Sequence, residues 1–149
     1  MTKIYVDADA CPVKAEVEKT ATRHKIAVFV VSNGGIRPSP NPIVTTVVVD
    51  QGADVADQWI AERCGAQDIV VTSDIPLAAR AIEHGALVIK PNGEILNTKN
   101  IGPILAARDL MSDIRSADPF FQDRAKSFSK SDRSRFLDSL ERVIRQSKA

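Results

Sequence analysis

The sequence predicts a three-layer α/β domain. A mainly parallel central sheet of about five strands is flanked by helices, with a helical extension at the C-terminal end. Three observations predict it. Short β-branched runs alternate with helical stretches from residue 3 to about residue 90, the rhythm of right-handed crossovers between parallel strands. The runs are apolar almost throughout, as when both sheet faces are covered. The 149 residues suit one domain with its own core, divided into an α/β part over 1–99 and a helical part over 100–149.

Taken in order, residues 3–7 form strand one, and Pro12 to about His24 a helix with proline at its first position. Residues 26–31 are strand two. Residues 32–42, with Gly34, Gly35, Pro38, Pro40 and Pro42, are a loop by every turn rule. Strand three spans 44–49, a helix runs from Ala53 to about Arg63, and Gly65 closes it. Residues 68–72 are strand four. Pro76 opens a helix that reaches His84 and closes on Gly85, and 86–90 are strand five.

Beyond Asn92 the strand signal stops. A helix over about 100–115 leads to a Ser/Asp/Pro-rich connector. The final helix starts at a capping box, Ser129-x-x-Asp132. Its apolar stripe is Phe136, Leu137, Leu140, Val143 and Ile144, with Arg133, Arg135, Arg142 and Arg145 largely off it.

With 44% apolar and 26% charged residues the chain reads as globular and soluble rather than disordered. No apolar run approaches a membrane span, and no secretory signal opens the chain, so a cytoplasmic protein is expected. Cys11 and Cys64 make neither a disulfide framework nor a Cys-x-x-Cys metal pair. Cys11 lies at a helix start, which favours a thiolate. Neighbouring carboxylates oppose that, and Val17 stands where a Cys-based phosphatase needs arginine, so Cys11 reads as a packing residue. The net charge of +1 excludes nothing, but residues 121–149 hold eight Lys/Arg against four Asp/Glu, which suits an anionic partner or a solvated helix face.

The chemistry is carried by acids. Strand one ends in Asp7-Ala8-Asp9, strand three in Asp50, and Asp54 and Asp57 occupy the first turns of the next helix. Asp74 follows strand four. In a parallel sheet these strand ends share one edge, where ligands bind. Carboxylates that converge there repel one another unless a cation or proton intervenes. All-oxygen donors select Mg²⁺ or Mn²⁺, and such ions serve phosphodiester hydrolysis. Single acids have plainer explanations as well: Asp54 and Asp57 complement a helix dipole, Asp74 and Asp9 can cap helices, and Asp50 fits a turn as well as a ligand. Asp7 is harder to explain this way, because it follows Val6 and precedes the cap by several residues.

Lys14, one turn into the first helix, reaches a phosphate from the rim or is simply solvated. Thr72 and Ser73 offer hydroxyls beside a helix N-terminus. Arg37 in the loop either holds a nucleic-acid backbone or is an ordinary exposed residue. His24 and His84 sit near helix ends, where a cation complements the dipole.

Ile4-Tyr5-Val6-Asp7-Ala8-Asp9-Ala10-Cys11-Pro12-Val13-Lys14, Asp50-x-Gly52-x-Asp54-x-x-Asp57 and Val71-Thr72-Ser73-Asp74-Ile75-Pro76-Leu77-Ala78 resemble the YaiI/YqxD family, as does the tail from Phe128 to Leu137. The resemblance covers nearly the whole chain. That family is a bacterial group of uncharacterised activity, and is similar to PIN-like domains, which are metal-dependent nucleases. The resemblance implies a PIN-like fold with Asp7 as the first-strand acid, Asp74 as the acid after the Thr/Ser turn, and Asp54 or Asp57 between them. The tail, with Arg133 as a candidate substrate contact, has no counterpart in the PIN core. The connector Ala117-Asp118-Pro119-Phe120-Phe121 departs from the family's usual Gly-Pro approach.

The first functional expectation is therefore a Mg²⁺/Mn²⁺-dependent nuclease acting on RNA, with Asp7, Asp9, Asp54, Asp57 and Asp74 catalytic. Asp7, Asp54, Asp57 and Asp74 would be its metal ligands, and Lys14, Arg37, Thr72, Ser73 and Arg133 its substrate contacts. The second is a haloacid-dehalogenase-like phosphatase with Asp7 as nucleophile, Asp9 as acid/base, Thr72 or Ser73 on phosphate and Lys90 steadying it. Ala10-Cys11 and the lack of a late Asp-Asp pair count against it. The third is a non-catalytic domain that binds nucleic acid or protein and holds a structural cation. Oligomeric state is not legible.

Overall fold

The computed structural model describes residues 2–8, 11–52, 54–117 and 128–148, with 111–117 as backbone alone. Its elements run β1 (Lys3–Asp7), α1 (Lys14–His24), β2 (Ala27–Ser32), β3 (Val44–Val48), α2 (Val55–Arg63), β4 (Ile69–Val71) and α3 (Ile75–Glu83). Then follow β5 (Leu87–Ile89), β6 (Ile95–Leu96), α4 (Ile101–Ala117) and α5 (Lys130–Lys148). The sheet has the order β3-β2-β1-β4-β5-β6, parallel except for β6. This is the doubly wound order of open α/β sheets.

Alternation along each strand divides the core in two. Ile4, Val6, Val28, Val30, Ile69, Val71 and Ile89 face α1 and α5, meeting Val13, Val17 and Ala21 of one region and Phe136, Leu140, Val143 and Ile144 of the other. Tyr5, Val31, Val70 and Val88 face α2, α3 and α4. On that second face Tyr5 stacks on Phe29 at 5.4 Å and meets the edge of Trp59 at 6.1 Å. The expected three layers are present, and α5 supplies a large part of one of them.

Three details differ from the sequence reading. The sheet has six strands, because β6 adds a two-residue antiparallel strand too short to show any period. Pro12 precedes α1 rather than opening it: Val13 is the N-cap, and its carbonyl accepts the first helical bond from Val17 N–H at 3.0 Å. Leu137 leaves the buried stripe and is 37% exposed, since one residue's rotation from Phe136 carries it to the rim. The capping box forms as expected: Ser129 N–H donates to Asp132 Oδ2 at 3.0 Å, and Asp132 N–H donates to Ser129 Oγ at 3.1 Å.

Helix α5 is fixed at several points. Arg23 and His24 of α1 both pair with Glu141. Arg133 donates to Pro12 O at 3.0 Å and to Glu16 Oε1 at 2.8 Å, and its guanidinium lies 4.8 Å above the Phe128 ring. The β5–β6 turn also seats on α5. Gly93 has φ +92, and a Cβ there would stand 2.6 Å from the Arg135 carbonyl carbon. Ser139 Oγ donates to Gly93 O at 2.6 Å. Only glycine fits a left-handed turn pressed onto a helix backbone.

Candidate active site at the β1–β4 switch point

Strands β1 and β4 lie side by side, yet the chain leaves them in opposite directions: through α1 to β2 on one face, and through α3 to β5 on the other. The diverging connections open a crevice above the carboxyl ends of these two strands, the place where open α/β sheets bind ligands.

Val6 pairs with Val71, so Asp7 and Thr72 stand level at the crevice. Thr72 is 2% exposed. Its hydroxyl donates to Asp7 Oδ2 at 3.0 Å and accepts from Asp74 N–H at 2.9 Å. Asp74 in turn caps α3, its Oδ1 accepting from Leu77 N–H at 3.0 Å. The capping role expected of Asp74 is therefore present, and the carboxyl does more than cap.

Asp57, in the first turn of α2, shares a side-chain hydrogen bond with Asp74. Burial, that bond, and then the charges of Asp74, Asp7 and Asp54 push the Asp57 carboxyl from 3.8 up to about 7. The proton that lets Asp57 and Asp74 approach is thus retained to near neutrality. Asp54 is the N-cap of α2 in left-handed backbone, φ +70, and its side chain makes no capping bond. Aspartate tolerates that region better than most residues. Asp50 is exposed at the turn after β3.

Asp7, Asp54, Asp57 and Asp74, delivered by three segments, are thus brought together electrostatically. Asp9 lies outside the described residues, as does the connector over 118–127. Among the described residues no three His, Cys, Asp or Glu side chains stand in position to hold one ion jointly. Mg²⁺ commonly takes one or two carboxylates and keeps its waters. The Asp57–Asp74 pair, with Asp7 and Asp54 acting on it, meets that requirement with oxygen donors alone. Carboxylate oxygens of this kind are the donors a hard divalent cation takes.

The other candidates separate. Ser73 is exposed at the head of α3. Thr72 is buried with its hydroxyl committed at both ends, so its place is to hold Asp7 and the cap, which the sequence reading did not foresee. Lys14 and Arg37 line one cavity between α1 and the β2–β3 loop. Arg133 ties α5 to α1. Lys90 pairs with Glu94 across its turn at 3.4 Å. His24 ends α1 and His84 caps α3 at its C-terminus. Burial pushes the Cys11 thiol above its usual range, as befits a packing residue. Among the described residues no helix is long and apolar enough to cross a membrane.

Fold and site together define a doubly wound α/β protein with an acid cluster at its topological switch point. The family model described as "Uncharacterized BCR, YaiI/YqxD family" matches residues 5–146, and the chain belongs to that family. A UPF0178 protein of Roseobacter denitrificans is 64% identical over 146 residues, covering 98% of this chain and 97% of the relative. One from Cereibacter sphaeroides is 62% identical, with 98% and 90% covered, and one from Mesorhizobium japonicum 52% identical, with 96% and 92% covered. No solved structure matches the chain.

Proposed function

We propose that this protein is a Mg²⁺- or Mn²⁺-dependent phosphodiester hydrolase acting on nucleic acid, RNA in preference to DNA, on a PIN-like scaffold. One observation carries the reading: burial at the switch point, then the bond to Asp74 and the charges of Asp74 and Asp7 from two other segments, push the Asp57 carboxyl up to about 7. A divalent cation bound there supplies Lewis acidity toward a phosphate oxygen and acidifies a water.

The chain's own groups divide the remaining work. Asp57 and Asp74, hydrogen-bonded to each other, would release their shared proton on taking up the cation, and as carboxylates they would then accept hydrogen bonds from its waters. Asp7 is held in orientation by Thr72. Ser73 offers an exposed hydroxyl to a phosphate oxygen. Lys14 and Arg37 offset the negative charge that the acids present to the strand. Asp9, two residues past Asp7, is included as a further acid.

The test is isothermal titration with Mn²⁺ on the wild type and on Asp7→Asn/Asp74→Asn, with the same samples incubated with labelled single-stranded RNA and DNA. Saturable Mn²⁺ binding lost in the variant, together with metal-dependent cleavage, supports the reading. Binding without cleavage points to a non-catalytic binding domain, or to a phosphatase if a phospho-aspartate can be trapped at Asp7. No Mn²⁺ binding overturns the metal site.

A further inference from the structure

Strands β2 and β3 are parallel neighbours joined by a loop alone. Such a connection ordinarily carries a helix that covers the sheet. Here residues 33–43 take its place and are strapped to α1. Ser39 Oγ donates to Glu18 Oε1 at 2.6 Å, and Asn41 Nδ2 donates to Thr22 Oγ1 at 2.8 Å.

A strap is thinner than a helix, and it leaves a hollow of about 290 Å³ against the sheet. That lies at the low end of small-ligand sites, which run to roughly 300–1,000 Å³. Buried Val30 and Val44 give it an apolar floor, and Ile36 of the strap lies opposite. The Lys14 and Arg37 side chains also line it, and among the described residues neither side chain takes part in an ion pair or hydrogen bond. Glu18 and Thr46 add a carboxylate and a hydroxyl.

We propose that this hollow seats one nucleotide of the nucleic-acid strand, base inward against Val30, Val44 and Ile36 with Arg37 stacked over it, phosphate outward on Lys14. The site deepens the hydrolase reading above and rests on it for the identity of the strand.

The chemistry selects this occupant. An acyl chain would set the half-buried Thr46 hydroxyl and Glu18 carboxylate against apolar carbon, an unfavourable contact for polar groups. A bare inorganic anion would meet the Glu18 carboxylate and gain nothing from the apolar floor. A base satisfies both, since its amino edge donates to Glu18, its face lies on the aliphatic side chains, and the planar Arg37 guanidinium stacks over it. The position is also suitable. Asp7 ends β1 and Lys14, which lines the hollow, opens α1, the helix that follows, so the hollow and the acid cluster flank one segment.

The experiment titrates a short single-stranded oligoribonucleotide, and the same oligomer with one abasic position, in EDTA. The wild type is expected to bind the intact oligomer about tenfold more tightly, the scale of one base contact. Arg37→Ala, on an exposed loop, and Thr46→Phe, which fills the hollow, should each abolish the difference. Equal affinity of the wild type for both oligomers overturns the proposal, as does a base preference that survives in Arg37→Ala. If Thr46→Phe fails to fold, Arg37→Ala decides alone. Since no metal is present, the two readings fail separately. Base-dependent binding without Mn²⁺-dependent cleavage keeps the subsite and removes the hydrolase, and cleavage without base-dependent binding does the reverse.

Discussion

Thr72 joins Asp7 to the cap of α3: one buried hydroxyl donates to the Asp7 carboxylate at 3.0 Å while accepting the Asp74 N–H at 2.9 Å. The bond crosses between β1 and β4, so the orientation of the first acid depends on a residue 65 positions away. Thr72→Val keeps the shape and deletes the hydroxyl. It should cost about 1.5–3 kcal/mol in urea denaturation, the range for a hydrogen bond to a charged group, and weaken Mn²⁺ binding. Thr72→Ser should recover most of both.

Asp57 makes stability fall as pH rises. Its folded-state carboxyl holds a proton up to about pH 7, whereas in the unfolded chain it is released near 3.8. Between those values the folded state binds more protons, so this group's contribution declines with increasing pH across the window and is most unfavourable above 7. Asp57→Asn should flatten that slope in urea titrations from pH 4 to pH 8 and raise stability at the alkaline end. A wild-type slope unchanged by the substitution would contradict the crowding of these acids.

The same proton couples to the cation. Below pH 7 a bound divalent ion must displace it from Asp57, so affinity should climb with pH and level off above 7. Titrations at pH 6 in buffers of different ionisation enthalpy should report release of close to one proton, about the number one carboxyl can give. At pH 8.5 the release should vanish.

Gly93→Ala tests the seating of α5. Left-handed backbone at a non-glycine residue costs about 1–3 kcal/mol, and here the added Cβ also meets the Arg135 carbonyl carbon at 2.6 Å. The melting temperature should drop by several degrees, and the Ser139 contact to Gly93 O should be lost with it.

On α5 itself, two neighbouring positions should respond very differently. Phe136 is fully buried while Leu137 is 37% exposed. Phe136→Ala should destabilise by about 3–5 kcal/mol, and Leu137→Ala should stay within about 0.5–1 kcal/mol, near the range of surface changes.

That contrast marks what the amino-acid order makes legible. Helical spacing identifies the α5 stripe, because Phe136, Leu140, Val143 and Ile144 repeat at three and four residues. It does not say how wide the buried strip is, since the partner surface sets that. The β1 to β5 runs and the acids at their ends are readable for a local reason: buried parallel strands are continuous apolar runs, and a carboxylate at such a run's end stands out. Strand β6 is too short to carry a pattern. The role of Thr72 and the hollow beneath the β2–β3 strap depend on which strands are neighbours, and spacing along the chain does not contain that. The Asp54 backbone, left-handed without a capping bond, was equally invisible in an Asp-rich helix start that capping rules explain well.

The absent helix between β2 and β3 has a consequence for how the molecule breathes. Interior strands β1 and β4 are clamped between helices on both faces, but β3 is an edge strand under a strap, with Val48 64% exposed. Local opening draws on the segments with least buried contact. Amide exchange should therefore begin in β3 and the strap and reach β1 last. The carboxylates would keep their geometry during such excursions, while the wall beside Lys14 and Arg37 yields, so one edge of the sheet stays rigid and its neighbour adapts.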